Sequence, residues 1–415
     1  MLKAELLEII ANGENSGVEF KRDDLRPEQL AKEIVALANV QGGRLLLGVE
    51  DDGTISGIQR DDLETWVMDT VFGHYVHPQI LPYYEVVALE DGRKVAVISV
   101  LSGTAKPYVM RHKGREDIYV RVGSTSRLAS REQQARLFES GGLLHAEVLP
   151  VSGSSLADLD MERLGDYLTT FAGDTALPES PPEWETRLQG LGFMSPRNLD
   201  AAVCTIAGLV LFGRSPRRIL RQAGIRWMAF DGESKDYKAT DDTVLDGPLI
   251  ALWRQTPEGG RERLEPGILE RLDDRMKPFV SMESDAIASG FAREREWLYP
   301  LEALREAILN SLVHRDWTRA TEVEVVAYSN RLEVTSPGAM QNSMTIEKML
   351  AGQRSPRNPL IVEVMRDYGY VDARGMGVRR KIVPLVREYS GHDAVFEATD
   401  DYVRATLPAP SRLAN

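Results

Sequence analysis

Residues 299–313 constrain the fold more than any other stretch. Tyr299-Pro300 opens a helix, because proline suits the first helical turn. Leu301, Leu304, Ile308 and Leu312 then fall within about 80° of one another on a helical wheel. Glu306, Asn310 and His314 recur every four residues on the opposite side. The following segment, 322–335, alternates apolar and polar residues and reverses at Asn330-Arg331, the pattern of a hairpin. An amphipathic helix feeding half-buried strands is the signature of an α/β fold.

The rest of the chain repeats that mixture. Strand 18–21 alternates; a helix runs from Pro27 through Leu30, Ile34, Leu37 and Ala38 and stops at Gly42-Gly43; Leu45 to Val49 read as a buried strand, and Asp51-Asp52-Gly53 as a turn. Strands follow at 95–100 and 118–122, then a helix over 131–140 and a linker at 150–155. Farther on, 160–171 reads as a helix and 207–212 and 225–230 as strands; the second half of a small helix-turn-helix is the minor alternative for 188–199. Helices at 360–368 and 378–388 and a strand at 403–407 close the chain. At roughly 150 residues per domain, 415 residues predict two or three cores, here 1–150, a connector at 151–290, and 291–410. The fold class is multidomain α/β.

Composition excludes several classes. With 43% hydrophobic and 27% charged residues the chain is neither collagenous nor disordered. The single cysteine, Cys204, in an apolar setting, forms no disulfide framework or cysteine zinc cluster. No apolar run approaches the roughly 18 residues that span a bilayer, and Glu5 and Glu8 do not fit a signal peptide. A cytoplasmic protein with no membrane partner is expected. His74 and His77 lack a third metal ligand nearby and read as structural or surface residues.

A net charge of −13 disfavours indiscriminate binding to polyanions. Two stretches run the other way. Residues 106–136 hold eight basic side chains (Lys106, Arg111, Lys113, Arg115, Arg121, Arg127, Arg131, Arg136) against three acids, and 214–226 hold five arginines and no acid. They are either solvated faces balanced elsewhere or phosphate-contacting surfaces.

The polar side of the 299–313 helix carries chemistry that a nucleoside triphosphate needs. Asn310 offers a carbonyl oxygen to Mg²⁺, Glu306 one turn earlier can orient or deprotonate a water, and Gly375 and Gly377 open a helix whose bare N–H groups favour phosphate. The bland alternative is a surface helix with a polar stripe and a glycine turn. The chain has no Gly-Lys pair, hence no Walker A loop. His314-Arg315-Asp316 lacks the later asparagine of a kinase catalytic loop, with Thr321 in its place.

The run Leu304-Arg305-Glu306-Ala307-Ile308-Leu309-Asn310-Ser311-Leu312-Val313-His314-Arg315-Asp316-Trp317 resembles the N-box of the RecG-like GHKL ATP-binding domain. Ser336-Pro337-Gly338, Arg357-Asn358-Pro359 and Gly375-Met376-Gly377 resemble its later loops, so the likeness covers about 295–407. The resemblance implies a Bergerat-type α/β sandwich binding ATP with Mg²⁺. In it Asn310 is the metal ligand, Glu306 the water-activating base, and Gly338, Gly375 and Gly377 lie against the nucleotide. His314, Arg357 and Asn358 complete the cofactor-binding set, and the loop between Gly338 and Arg357 closes on ATP. One departure stands out: Ser336-Pro337-Gly338 replaces the Asp-x-Gly-x-Gly loop, so the adenine-reading aspartate is missing there.

At the N-terminus, Glu19 and Lys21 point to one face of a strand, with Glu14 before them and Glu50-Asp51-Asp52 at the end of a neighbouring strand. A carboxylate holding Mg²⁺ beside a lysine could cleave a phosphodiester, with Glu14, Glu19 and either Glu50 or Asp51 as metal ligands; Glu-x-Lys is equally a common ion pair. Glu14-x-x-x-x-Glu19-Phe20-Lys21, Ala38-Asn39-x-x-Gly42-Gly43, Gly48-Val49-Glu50-Asp51-Asp52-Gly53-x-x-x-Gly57 and Tyr119-Val120-Arg121-Val122-Gly123-Ser124 together resemble the Schlafen AlbA-like domain over about 12–140. That resemblance implies nucleic-acid binding. In some relatives three acids cleave RNA; Glu14 and Glu19 match two, and the third is Glu50 or Asp51. The combined architecture resembles bacterial ATP-binding transcriptional regulators, and the Schlafen likeness adds defence against foreign nucleic acid. Such relatives often carry a winged helix after the ATP site; none is expected before Asn415, which leaves DNA contact to 106–136 or 214–226. A metal-dependent RNA or DNA nuclease gated by ATP is the alternative, and an ATP-binding scaffold without nucleic acid the third. A homo-oligomer, dimer or higher, is expected by analogy with GHKL proteins.

Overall fold

The computed structural model describes residues 1–103, 105–143, 145–196, 202–256, 260–289, 292–341, 344–353, 355–372 and 377–410, with backbone alone over 283–289 and 292–294. The chain divides into two compact units, Met1–Leu144 and His145–Asn415.

In the first unit, four strands lie in the order Val18–Lys21, Gly42–Leu47, Lys94–Leu101, Tyr83–Ala88. Only the first pair is parallel, with Glu19 opposite Leu45 and Lys21 opposite Leu47. Parallel neighbours need a crossover, and the Pro27–Asn39 helix supplies it. Its buried Leu30, Ile34, Leu37 and Ala38 pack with Leu45, Leu47, Ala96 and Ile98 on one face of the sheet. Leu46 points the other way and joins Leu6, Phe20, Val95 and Val97. Burial on both faces explains why residues 45–47 are an unbroken leucine run. Two hairpins follow, Val109–His112 with Arg115–Asp117 and Tyr119–Val122 with Thr125–Leu128. Asn39, at the end of the crossover helix, stitches them in: its Nδ2 donates to Tyr108 O (2.8 Å) and Tyr119 O (2.9 Å), and Tyr108 N–H donates back to Oδ1.

The second unit is built on a six-stranded sheet, ordered Asp241–Leu245, Ile225–Ala229, Val323–Ala327, Arg331–Pro337, Tyr402–Pro408, Val395–Ala398. The Leu301–Val313 helix buries Leu304, Ala307, Ile308 and Leu312 in a core that runs from Ala146 to Ala409. Two strands of the expected connector therefore belong to the sheet of the C-terminal segment, and residue 290 is no boundary of cores. Two local readings are corrected. Residues expected as a strand at 207–212 form the Ile206–Phe212 helix, capped by Thr205 Oγ1, which accepts the Gly208 N–H. All seven residues are buried, and a helix apolar all round has no periodicity to distinguish it from a buried strand. The alternative of a helix-turn-helix at 188–199 is not met: the Pro181–Gly190 helix is followed by a Met194–Ser195 strand paired with Val203–Cys204; residues 197–199 lie outside the described residues. Among the described residues no helix is long and apolar enough to cross a membrane.

Candidate nucleotide and nucleic-acid sites

The Leu301–Val313 helix presents Glu306 and Asn310, both partly exposed, one turn apart. Asn310 Nδ2 donates to Glu306 Oε1 at 3.2 Å, which leaves the carbonyl end of the amide as the side available to a cation. Gly377 lies against Glu306 at the start of the Val378–Ile382 turn, which continues into the Val383–Ser390 helix. A Cβ at Gly377 would stand 1.7 Å from Glu306 Oε1 and 2.0 Å from its Cδ. Only glycine lets the helix start approach the carboxylate so closely. Gly375 lies outside the described residues.

Gly338 follows the Arg331–Pro337 strand and lies beside Asp316, just past the end of the Leu301–Val313 helix. Its φ is +105°, and a Cβ there would meet Asp316 Cβ at 2.3 Å and Arg357 Nη1 at 2.7 Å. Its N–H donates to Asp401 O at 2.7 Å. Arg357 is buried and reaches His314 O at 3.4 Å. Asn358, expected on the nucleotide, is fully buried, and its Nδ2 donates to Val313 O and Arg315 O, each at 2.9 Å. It thus caps the end of the helix that carries Glu306 and Asn310. Ser336, standing where an adenine-reading aspartate was missed, gives its hydroxyl to Ser311 O at 2.8 Å. His314 is accessible to solvent yet densely surrounded by protein atoms. Desolvation first, and then the neighbouring Arg357 charge, push its pKa down to about 4, so the ring is neutral at pH 7. Arg315 is a strut: it donates to Gln222 O (2.7 Å) and Thr321 O (2.8 Å) and lies 4.1 Å from the Trp317 ring centre.

In the first unit, the structure gathers three of the expected acids around one ammonium. Lys21 Nζ is 2.6 Å from Glu19 Oε1, 3.6 Å from Asp51 Oδ1 and 3.8 Å from Glu14 Oε1. Asp51 rather than Glu50 joins Glu14 and Glu19; Glu50 faces Arg22 Nε at 3.9 Å instead. Burial raises the Glu14 pKa, helped by the Glu19 and Asp51 charges and opposed by the Phe20 N–H bond (2.9 Å) and Lys21. Burial works against the Lys21 charge, yet the Glu19 bond and the three carboxylates outweigh it and raise its pKa. The second oxygen of Glu19 is 2.5 Å from Arg121 Nη1. Both ends of that carboxylate are thus held by cations, and among the described residues no group of three or more His, Cys, Asp or Glu is placed to hold a metal ion.

The basic stretches separate by burial. Arg121, expected on nucleic acid, is buried beneath the sheet edge and paired with Glu19 and Glu33, so it faces no phosphate. Lys106 Nζ donates to Val40 O at 2.8 Å. Arg111 is exposed but paired with Glu116. Lys113, Arg115 and Arg127 are exposed on the two hairpins, Lys113 at the tip of the first. Of the five arginines in 214–226, Arg217, Arg218 and Arg226 are held by Glu322, Asp158 and Asp242, so that stretch reads as a balanced face. Cys204 is buried, and desolvation pushes its thiol pKa up to about 12, which makes it inert at neutral pH.

Fold and site define the class: an α/β domain with a carboxylate–lysine cluster, followed by an α/β sandwich in which Gly377 presses on the Glu306 carboxylate of a Glu–Asn helix. Comparison with known families agrees. Residues 14–130 match the "Schlafen, AlbA_2" family, and residues 320–407 match the family described as "Putative ATP-dependent DNA helicase recG C-terminal". The chain joins a Schlafen AlbA_2 domain to a RecG C-terminal-type domain. Glu306, Asn310 and His314 precede the second matched span. The chain resembles the solved DIP2311 protein from Corynebacterium diphtheriae at 22% identity over 98% of this chain and 80% of that one, with a TM-score of 0.41. It also resembles the N-terminal domain of a RecG-related protein from Nitrosomonas europaea at 23% identity over 32% of this chain and 94% of that one, with a TM-score of 0.25. No curated protein matches it.

Proposed function

We propose that the chain is a regulator that binds ATP with Mg²⁺ in its second unit and nucleic acid through its first, the nucleotide controlling the nucleic-acid side. Its context is transcription or defence against foreign nucleic acid. The carrying observation is Glu306, hydrogen-bonded by Asn310, lying against Gly377. A carboxylate, an amide oxygen and a helix start stripped of side chain are the donor set for a cation-bound triphosphate. Asn310 would hold the metal, Glu306 would position water, and the backbone beside Gly377 and Gly338 would lie against the nucleotide, Arg357 and His314 flanking it. When bound, ATP·Mg²⁺ supplies charge and, if turned over, a phosphoryl group. We assign contact with nucleic acid to the hairpins bearing Lys113, Arg115 and Arg127, and the assembly to a homo-oligomer.

A calorimetric titration of the full chain with ATP·Mg²⁺ tests this reading. Saturable heat is expected, with affinity about tenfold weaker in Asn310→Ala; identical titrations in the two proteins would remove the site.

The convergence of Glu14, Glu19 and Asp51 keeps a second reading, an ATP-gated metal-dependent nuclease. It requires a metal to displace Lys21 from its carboxylates. Labelled tRNA and duplex DNA, incubated with and without Mg²⁺ and ATP, separate the two. A regulator shifts the probe intact, with binding weakening steeply as salt rises. Mg²⁺-dependent cutting that vanishes in Glu14→Gln, with the shift retained, would establish the nuclease instead.

A further inference from the structure

The chain passes from the first unit to the second between residues 144 and 145, and the first residues on the far side are firmly held. Glu147 is 1% exposed. Its two carboxylate oxygens accept the backbone N–H groups of Leu360 (2.8 Å) and Ile361 (2.9 Å), in the open first turn of the Pro359–Asp367 helix. A carboxylate there satisfies two orphan donors and meets the positive end of the helix dipole. Two residues earlier, His145 Nδ1 is 3.2 Å from Arg357 O. Residues 145–147 thus grip the Arg357-Asn358-Pro359 turn from both sides.

That turn reaches the nucleotide site by two routes. Arg357 touches His314 O and crowds Gly338. Asn358 holds Val313 O and Arg315 O, at the end of the helix that carries Glu306 and Asn310. A displacement at Gly338 or at that helix end must carry residues 145–147 with it or break two charge-assisted hydrogen bonds.

The geometry points to His145 and Glu147 as a strap that couples the nucleotide site to the chain segment leading out to the first unit. This rests on the nucleotide reading above. Coupling is reciprocal, so a load on the strap from the first unit changes nucleotide affinity by the factor with which nucleotide changes binding at the first unit. His145 and Glu147 are positioning residues and touch no ligand.

Hydrogen exchange on the full chain, with and without saturating ATP·Mg²⁺, tests the strap, with binding heat measured on the same samples. In the wild type, amides 145–150 and 357–363 are expected to change exchange rate together, by about threefold or more. Glu147→Gln keeps one acceptor oxygen. It is expected to bind ATP within about threefold of wild type and to retain the 357–363 response while losing that at 145–150. His145→Ala, which leaves the buried carboxylate in place, should weaken the same response and serves if Glu147→Gln fails to fold. Heat of binding with no wild-type change at 145–150 would overturn the strap while leaving the nucleotide site standing. Absence of heat would remove the nucleotide reading and the strap with it.

Discussion

Replacing Arg121 by Met is expected to cost the first unit about 3–5 kcal/mol, the range for removing one partner of a buried ion pair. The Arg121 side chain is 1% exposed, and its carboxylate partners Glu19 and Glu33 are 6% and 9% exposed. Its Nη2 also donates to Asn15 O (2.8 Å) and Val18 O (3.0 Å), tying the turn ahead of the first strand to the second hairpin. Methionine fills the volume but leaves two buried carboxylates facing each other and two carbonyls unpaired. Urea unfolding of the full chain should show a transition of the first unit displaced to lower urea, while that of the second unit stays. Adding Glu19→Gln and Glu33→Gln removes the stranded charges and should recover part of the loss. A wild-type transition in Arg121→Met would mean that the network adds nothing to stability.

The same network decides how nuclease chemistry can be probed. Glu19 is the acid that the sequence pattern recommends replacing, but it is pinned between Lys21 and Arg121. A Glu19→Gln protein would lose activity through its fold as readily as through a missing ligand. Glu14 is bonded to Phe20 N–H, and Asp51 is 83% exposed at its side chain, so both can be changed with less disturbance.

Much of this was legible in the sequence because local pattern and tertiary need agree. Leu304, Ile308 and Leu312 of the 301–313 helix and the leucine run at 45–47 each state which face is buried. Leu301 of the same stripe, by contrast, is exposed, and the hairpin at 322–335, half-buried by its alternation, is buried on both faces at most positions. The Glu306–Asn310 spacing of four placed the two side chains together, since it is one helical turn. What failed depended on partners distant in the chain. Arg121 looks basic and therefore external, and nothing local marks it as the counter-ion of Glu19 and Glu33, 102 and 88 residues away. Asn358 sits in a motif that suits a ligand, yet it serves the end of a helix more than 40 residues earlier. Glu147 carries no motif at all; its partners Leu360 and Ile361 lie over 200 residues on. The strand written for 207–212 failed for the opposite reason, having no polar residue to betray its period.

Gly377→Ala is expected to disable the nucleotide site with the fold intact. The added Cβ would fall within 2.0 Å of the Glu306 carboxyl carbon, far inside contact distance. Its nearest neighbours are the end of a flexible side chain, so the carboxylate yields and the backbone does not. Glu306 must swing away, and Asn310 then loses the acceptor that orients its amide. One methyl group thereby displaces two functional side chains. ATP·Mg²⁺ affinity should fall by about a hundredfold, or ~2.7 kcal/mol, against the smaller loss for Asn310→Ala alone. The urea transition of the second unit should stay in place, because no core side chain moves. Adding Glu306→Ala to Gly377→Ala removes the crowded carboxylate, so the two changes should cost less together than the sum of their separate losses, as expected for residues in contact. If Gly377→Ala binds ATP·Mg²⁺ like the wild type, the contact between the helix start and Glu306 is not part of the binding site, and the nucleotide must be held elsewhere.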